Sequence, residues 1–226
     1  MGLFRNRFME NVRKRRSRTV LALDVMDINR AEEILEAVED FISAVKINYP
    51  LFLSAGKDNI KRLIERFDLP FLGDFKIADI DATNRKIGEI MFSCGFDALI
   101  AHAFVGYEGG LDAIFTCAQE RGRGVFLVVS MSHPGSREFM IGWQRMAEFS
   151  VEHGAEGIIC PATRPEEVEA ARRIVGHDIL ILSPGVGVQG GRAEKVIRAG
   201  ADGIIVGRSI YESENPEETA KKLMVI

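Results

Sequence analysis

Asp74, Lys76 and Asp79 stand, with Asp81 just beyond them, in the short segment GDFKIADIDATN, Gly73 to Asn84. An ammonium group between carboxylates can hold a developing charge or deliver a proton. Asp74 and Lys76 are two residues apart, so on a strand they project from one face. Phe71, Phe75 and Ile77 are apolar, so the strand should pack into a core. Burying an acid and a lysine in such a strand costs roughly several kcal/mol per ion unless they are paired or used. The segment is therefore either a structural ion pair or a catalytic array, and the elements that carry it must decide.

Those elements alternate. Strand-like runs occur at TVLALD, SAVKIN, PFLGDF, ALIAHA, VFLVVS, GIICP, ILILSP and GIIVG. Helical spacing lies between them. Ala31 to Phe41 places Ile34, Leu35, Val38 and Phe41 on one side, and Asn84 to Cys94 does the same with Ile87, Ile90 and Met91. Pro165 opens a helix to Val175, and Asn215-Pro216-Glu217 reads as a cap, a first-turn proline and an acid. Eight strand–helix pairs fit a (β/α)8 TIM barrel, an α/β fold. The runs lack strict alternation, as strands buried on both faces do. An open doubly wound sheet would usually use fewer strands. No proline- or serine-rich linker interrupts the pattern, so residues 1–226 read as one domain with an N-terminal arm over about 1–17.

In such barrels chemistry sits at the C-terminal strand ends. In chain order these offer Asp24, then Lys46 and Asn48, then Asp74 and Lys76 with Asp79 following. His102, Ser130 and Ser132, Thr163, Ser183 and the Gly207-Arg208-Ser209 turn complete the series. The glycine-rich SPGVGVQGGR after the seventh strand and GRS after the eighth fall where barrel enzymes bind phosphate. Glycines let backbone N–H groups approach the oxygens, and Arg208 can add a charge-assisted bond. The alternative is that these glycines only shape tight turns. The signs of Lys46, Asp74, Lys76 and Asp79 alternate, so each charge can be neutralised by a neighbour. At the same rim as a phosphate site, that array reads as functional. His133, His153 and His177 fall in loops or at helix ends, and Trp143 reads as core packing.

The composition fits an ordinary soluble globular protein: 46% hydrophobic, 27% charged, net charge −4 over 226 residues. Cys94, Cys117 and Cys160 are widely spaced and odd in number, which suits a reducing cytoplasm and small core hydrophobes. No apolar run approaches the ~18 residues of a membrane span, and the N-terminus lacks the apolar stretch of a secretory signal. The arm carries Arg5, Arg7, Arg13, Lys14, Arg15, Arg16 and Arg18. It could face a nucleic acid or a membrane surface. It could instead be an amphipathic helix packing Leu3, Phe4, Phe8 and Val12 on the body. The negative net charge favours the second reading, with neither nucleic acid nor membrane as a partner.

The motifs LALD with Asp24, VKINYP with Lys46, DFKIADIDATN, MSHPG with Ser132, ATRP, SPGVGVQGG and IIVGRSI occur in order along nearly the whole chain. In this the sequence resembles the orotidine 5′-phosphate decarboxylases in their compact archaeal form. The resemblance implies a carboxy-lyase that converts orotidine monophosphate to UMP and CO2 in de novo pyrimidine synthesis, without metal or organic cofactor. It implies Lys76 as proton donor to ring carbon 6, Asp74 beside the substrate carboxylate, Lys46 between Asp74 and the ribose, and Asp24 on a ribose hydroxyl. It also implies a homodimer, with Asp79, Ile80 and Thr83 entering the partner's site and Asp79 completing the charge array. Ser132 would read the pyrimidine amide edge. Gln189 would touch phosphate from a closing loop, with Pro184, Gly185, Val186, Gly187, Gly190, Gly191, Gly207 and Arg208 forming the cradle.

The chain departs from the usual pattern at Asp81 and Val105, where proline is common, and at Asn48, where glycine is common. Two other functions compete. One is a Mg²⁺-dependent hexulose-phosphate synthase or ketogulonate-phosphate decarboxylase, which shares the DxKxxD segment. Such a metal site needs a further carboxylate where Lys46 stands. The other is a non-catalytic nucleotide- or RNA-binding module using the basic arm, which predicts salt-sensitive polyanion binding.

Overall fold

The computed structural model describes residues 2–187 and 189–224. Its chain begins with α1 (Leu3–Arg15) and then alternates: β1 (Thr19–Ala22), α2 (Ile28–Val38), β2 (Ala44–Asn48), α3 (Tyr49–Ala55), α4 (Lys57–Arg66), β3 (Phe71–Ile77) and α5 (Asp81–Ser93). The second half continues with β4 (Ala98–His102), α6 (Asp112–Glu120), β5 (Gly124–Val128), α7 (Ser136–Phe139), α8 (Trp143–Glu152), β6 (Gly157–Ile159) and α9 (Pro165–Val175). It ends with β7 (Leu180–Pro184), α10 (Ala193–Arg198), β8 (Gly203–Val206), α11 (Arg208–Tyr211) and α12 (Pro216–Lys222). Each strand pairs in parallel with the next, and β8 closes on β1, so the sheet is the expected (β/α)8 barrel.

The period of two along each strand divides the apolar residues into two clusters. Outward positions such as Leu21, Val45, Ile47, Phe71, Phe75, Leu99, Val125 and Ile181 pack against the helices. Inward positions such as Val20, Ala22, Ala44, Leu72, Ile100, Phe126, Val128, Ile159, Leu182 and Ile205 fill the barrel. The apolar face of β3 therefore packs on the helical layer. Its other parity, Leu72 then Asp74, points into the barrel. That is why the strands read as continuous apolar runs: both faces are buried.

Helix boundaries follow local chemistry. α9 starts at Pro165 and ends at Val175, as its proline and apolar spacing predict. In α2 the expected helix runs earlier, because Asp27 caps it by accepting a bond from the Arg30 N–H at 2.8 Å. α5 begins three residues before the expected Asn84. Buried Asn84 draws the turn back: its amide donates to the carbonyl of Asp79 at 2.5 Å and of Gly110 at 2.9 Å and accepts from the Asp79 N–H. Asp81 thus becomes a first-turn acid that suits the helix dipole, which accommodates this departure from proline.

The arm is an amphipathic helix whose Phe4, Phe8 and Val12 are buried. Leu3 does not join them; it is 40% exposed, because each helical step turns 100° and Leu3 falls off the Phe4–Phe8 stripe. Several arm cations bond to the barrel's lower rim: Arg7 reaches Asp97 at 2.8 Å, and Arg15 reaches the Glu39 carbonyl at 2.8 Å. Arg13 and Lys14 remain exposed.

Gly157, in β6, shows how tightly the interior is filled. A Cβ there would lie 2.0 Å from the Phe126 ring. Gly157→Ala should therefore destabilise the fold by about 1–3 kcal/mol, the usual cost of overpacking. A urea midpoint indistinguishable from wild type would contradict this packing.

Candidate active site

The barrel's upper end opens into a cavity of ≈ 240 Å³. Its floor is apolar: Ala22, Ile100, Val128, Ile159 and Ile205. One wall is charged. Lys46 Nζ donates to Asp74 Oδ2 at 2.9 Å and lies 3.5 Å from Asp24 Oδ1, while Lys76 Nζ donates to Asp74 Oδ1 at 2.8 Å. Both Asp74 oxygens are thereby engaged by separate ammonium groups. Asp74 and Lys46 are buried, and Lys76 keeps 39% of its side chain exposed at the open end.

These contacts set the ionisation. Burial alone would lower the pKa of Lys46, but Asp74 and then Asp24 outweigh it, and the net shift is upward. Burial alone would raise that of Asp74, but Lys46 and then Lys76 outweigh it and hold the carboxyl below its ordinary value. Asp74 thus contributes pairing stability above its unfolded pKa of about 3.9, lost as pH falls through the lower folded value. Lys46 contributes below its unfolded pKa of about 10.4, lost as pH rises through the higher folded value. Between those limits the pair stays charged. His102, at the end of β4, shifts downward: burial and then Lys76 lower its pKa against a smaller opposing effect of Asp74.

Lys76 carries a backbone signal that residue type alone could not show. Its φ is +43°, and the pairing of β3 with β4 shifts register between Gly73 and Ile77. A non-glycine residue in the left-handed region costs on the order of 1 kcal/mol or more, and such strain collects at functional sites. The bulge sets Lys76 at the mouth while leaving its ammonium on Asp74.

The opposite wall comes from two loops. Pro184 at the end of β7 and Gly185, Val186 and Gln189 after it line one side, and Gly207, Arg208 and Ser209 after β8 the other. The first loop is closed on itself: Gly187 N–H donates to the Gly191 carbonyl, Gly190 N–H to Gly187, and Gly191 N–H to Gly185. Gly187 has φ +82°, and a Cβ there would stand 2.4 Å from the Ser209 hydroxyl, so glycine lets the two loops meet. Ser132 lines the cavity from the β5 side.

Asp24, Lys46, Asp74, Lys76, Ser132, Pro184, Gly185, Val186, Gln189, Gly207 and Arg208 therefore share one cavity. Gly187, Gly190 and Gly191 shape the loop without lining it. Asp79, Ile80 and Thr83 do not reach the cavity of their own chain. Asp79 is exposed and, among the described residues, bonds within its turn, where its carboxylate accepts from the Ile80 N–H, and Ile80 is 63% exposed.

Two features escaped the sequence. Tyr211 lines the cavity with its hydroxyl pKa raised by burial and then Asp24. Its only signal was position, four residues past Gly207. Ser130 joins a buried network, donating to Glu167 at 2.6 Å while Arg164 bonds Ser130, Ser136 and Glu167. Arg164 in the ATRP motif was the available hint. Asn48 ends β2 with its amide oxygen buried and without a hydrogen-bond partner among the described residues.

A closed barrel with a lysine–carboxylate array facing a glycine-built, arginine-edged cradle defines a barrel enzyme acting on a phosphate ester. The comparisons narrow the class. The chain belongs to the orotidine 5′-phosphate decarboxylase / HUMPS family, whose model matches residues 17–223. It is 47% identical over 212 residues to the orotidine 5′-phosphate decarboxylase of Methanosarcina barkeri, covering 93% of this chain and 94% of that one. It is 46% identical over 208 residues to that of Thermococcus kodakarensis, covering 92% and 95%. Among solved structures, the Methanocaldococcus jannaschii orotidine 5′-monophosphate decarboxylase complexed with the inhibitor BMP superposes with a TM-score of 0.86 at 38% identity, covering 91% of this chain and 96% of that chain. The Pyrococcus horikoshii enzyme gives 0.83 at 43% identity, with the same coverage.

The coupling in the charged wall is testable. Lys46→Ala removes the cation that burial makes Asp74 depend on. It should cost about 3–5 kcal/mol, the usual penalty for breaking a buried pair from one side. Lys46→Met with Asp74→Leu should recover most of that stability. Equal losses in the single and double variants, by urea unfolding, would show that the pair is not coupled.

Proposed function

We propose that this protein decarboxylates orotidine 5′-monophosphate to UMP and CO2. The observation that carries the proposal is the Lys46–Asp74–Lys76 array, joined at 2.9 and 2.8 Å across a small cavity from the glycine loops and Arg208. Breaking the bond between ring carbon 6 and the carboxylate leaves the electron pair on carbon 6. That pair lies in the ring plane, out of conjugation with the π system. A fixed ammonium must therefore stabilise it directly. Lys76 holds that charge at the open end of the array and then gives its proton to carbon 6, recovering one from solvent afterwards. Asp74 sits beside the substrate carboxylate, where its fixed charge disfavours the ground state and is relieved as CO2 leaves. Lys46 holds Asp74 ionised and, with Asp24, meets the ribose. Ser132 reads the pyrimidine amide edge.

The phosphate docks on the β7 and β8 loops against Gln189, Gly207 and Arg208. Binding energy gained there, away from the reacting bond, is available to order the array as the Gln189 loop closes. Lys46 also argues against the sugar-phosphate branch of the family, since it puts a cation where a Mg²⁺ site needs another carboxylate.

The functional unit is a homodimer with shared sites. Asp79 and Ile80 are exposed beside the cavity rim, and Thr83 lies one turn further along α5. An acid presented there by a second copy adds the fourth alternating charge, next to Lys76.

The purified protein with EDTA should lower the ultraviolet absorbance of orotidine monophosphate; an unchanged spectrum would overturn the proposal. Lys76→Ala should abolish turnover yet still bind UMP, and turnover near wild type would remove Lys76 as the proton donor. The shared site has its own test. Lys76→Ala and Asp79→Ala proteins, each inactive alone, should regain about one quarter of wild-type activity when unfolded, mixed in equal amounts and refolded, because half the dimers then hold one intact site. No recovery, with wild type refolding to full activity in parallel, would place Asp79 in its own chain's site, and an active Asp79→Ala protein would place it outside both.

A further inference from the structure

The arm's buried residues do more than cover the barrel's lower end. Phe4 packs edge-on against Phe126, with ring centroids 5.2 Å apart, and stacks with Phe8 at 6.0 Å. A Cβ on Gly203, the first residue of β8, would lie 2.8 Å from the Phe8 ring. Phe4, Phe8 and Val12 thus belong to the same apolar cluster as Ala22, Ile100, Val128, Ile159 and Ile205. Those five residues are also the floor of the upper cavity. One continuous packed column runs from the arm, through the barrel, to the surface on which the ligand would rest. Close-packed interiors transmit displacement, because they contain no free volume to absorb it.

Polar contacts tie the arm to strand starts as well. Asp97, with a side chain 2% exposed, accepts from Arg7 and from the backbone N–H of Phe71, the first residue of β3, both through Oδ2 at 2.8 and 2.9 Å. Its other oxygen takes Arg123 at 2.7 Å. Glu156, just before β6, accepts the Arg5 N–H at 2.9 Å and so caps α1 from elsewhere in the chain. Asn11 donates to the carbonyl of Ser43, just before β2, at 3.3 Å. The strand that bears Asp74 and Lys76 is thus held at its lower end by a carboxylate that the arm fixes.

We propose that the N-terminal arm is a positioning element of the active site, with Phe8 and Phe4 setting the height and rigidity of the cavity floor. The inference rests on the reading of that cavity as the nucleotide site for its kinetic test, but not for its structural one. Phe8→Ala opens a void under the floor. Ile34→Ala opens a void in the outer cluster, to which Ile34, 1% exposed, belongs rather than to the column.

Both variants should lose comparable stability. Only Phe8→Ala should lower kcat/KM for orotidine monophosphate, by at least about tenfold, the scale on which small misplacements act. Phe8→Met, which refills most of the volume, should restore it. Phe8→Leu serves if the alanine variant fails to fold, with a smaller loss in the same direction. Independently of turnover, Phe8→Ala should speed amide exchange at the upper ends of β4, β5 and β8, and Ile34→Ala should not. Equal kinetic losses and equal exchange in the Phe8 and Ile34 variants would overturn the arm's positioning role. If the wild-type protein shows no turnover, the functional reading fails, and the exchange comparison alone decides the arm's role.

Discussion

The structure turns on one constraint: Asp74 is a carboxylate inside a barrel, and it stays ionised only because Lys46 and Lys76 each hold one of its oxygens. Burial opposes charge on both Asp74 and Lys46, so neither is tolerable alone. Their register enforces the meeting. Lys46 and Asp74 share the inward parity of neighbouring parallel strands, with Asn48 directly across from Asp74. A one-residue slip of β3 against β2 would turn Asp74 into the helical layer and leave Lys46 only its longer contact with Asp24 at 3.5 Å. The ion pair and the strand register thus specify each other.

The same constraint divides the barrel into levels. Its lower levels are aromatic and aliphatic, and charge enters only above Leu72 on β3 and Ala44 on β2. Poor hydration at the upper level makes each charge matter more to its neighbours. It is also why the array needs alternation of sign. The glycine loops face it from β7 and β8 with backbone N–H groups and one arginine. The charged wall and the glycine loops thus occupy different edges of one cavity.

Much of this was legible in the residues. The eight strands could be read because burial on both faces leaves continuous apolar runs, and α9 because Pro165 fixes its start. The charged wall and the position of the glycine loops were legible because side-chain type and strand-end position suffice to place them. What escaped depends on contacts between distant segments. Asn84 draws α5 back to Asp81 through a carbonyl bond to Gly110, 26 residues away. Leu3 is exposed although its neighbour Phe4 is buried, a distinction of one helical step. Tyr211 reaches the cavity because the turn at Gly207 aims α11 at it, and Arg164 gathers Ser130, Ser136 and Glu167 from three segments. No local pattern encodes such convergence.

Lys76 shows the limit of period-two reasoning most clearly. Alternation places it with Asp74, and the contact exists, but the strand is distorted where it forms. The residue sits at φ +43° with the ladder to β4 displaced around it. An unstrained strand would extend Lys76 by a further step along the barrel axis. The bulge breaks that extension and leaves the ammonium near the mouth, bonded to Asp74 yet 39% exposed. Lys76 thus combines a fixed counter-charge that positions its ammonium with an open side toward the cavity mouth. The backbone strain at Lys76 is offset by the two lysine–Asp74 bonds and the packed strand beneath it. Lys76 therefore takes its place from the distorted end of β3 and from Asp74 together.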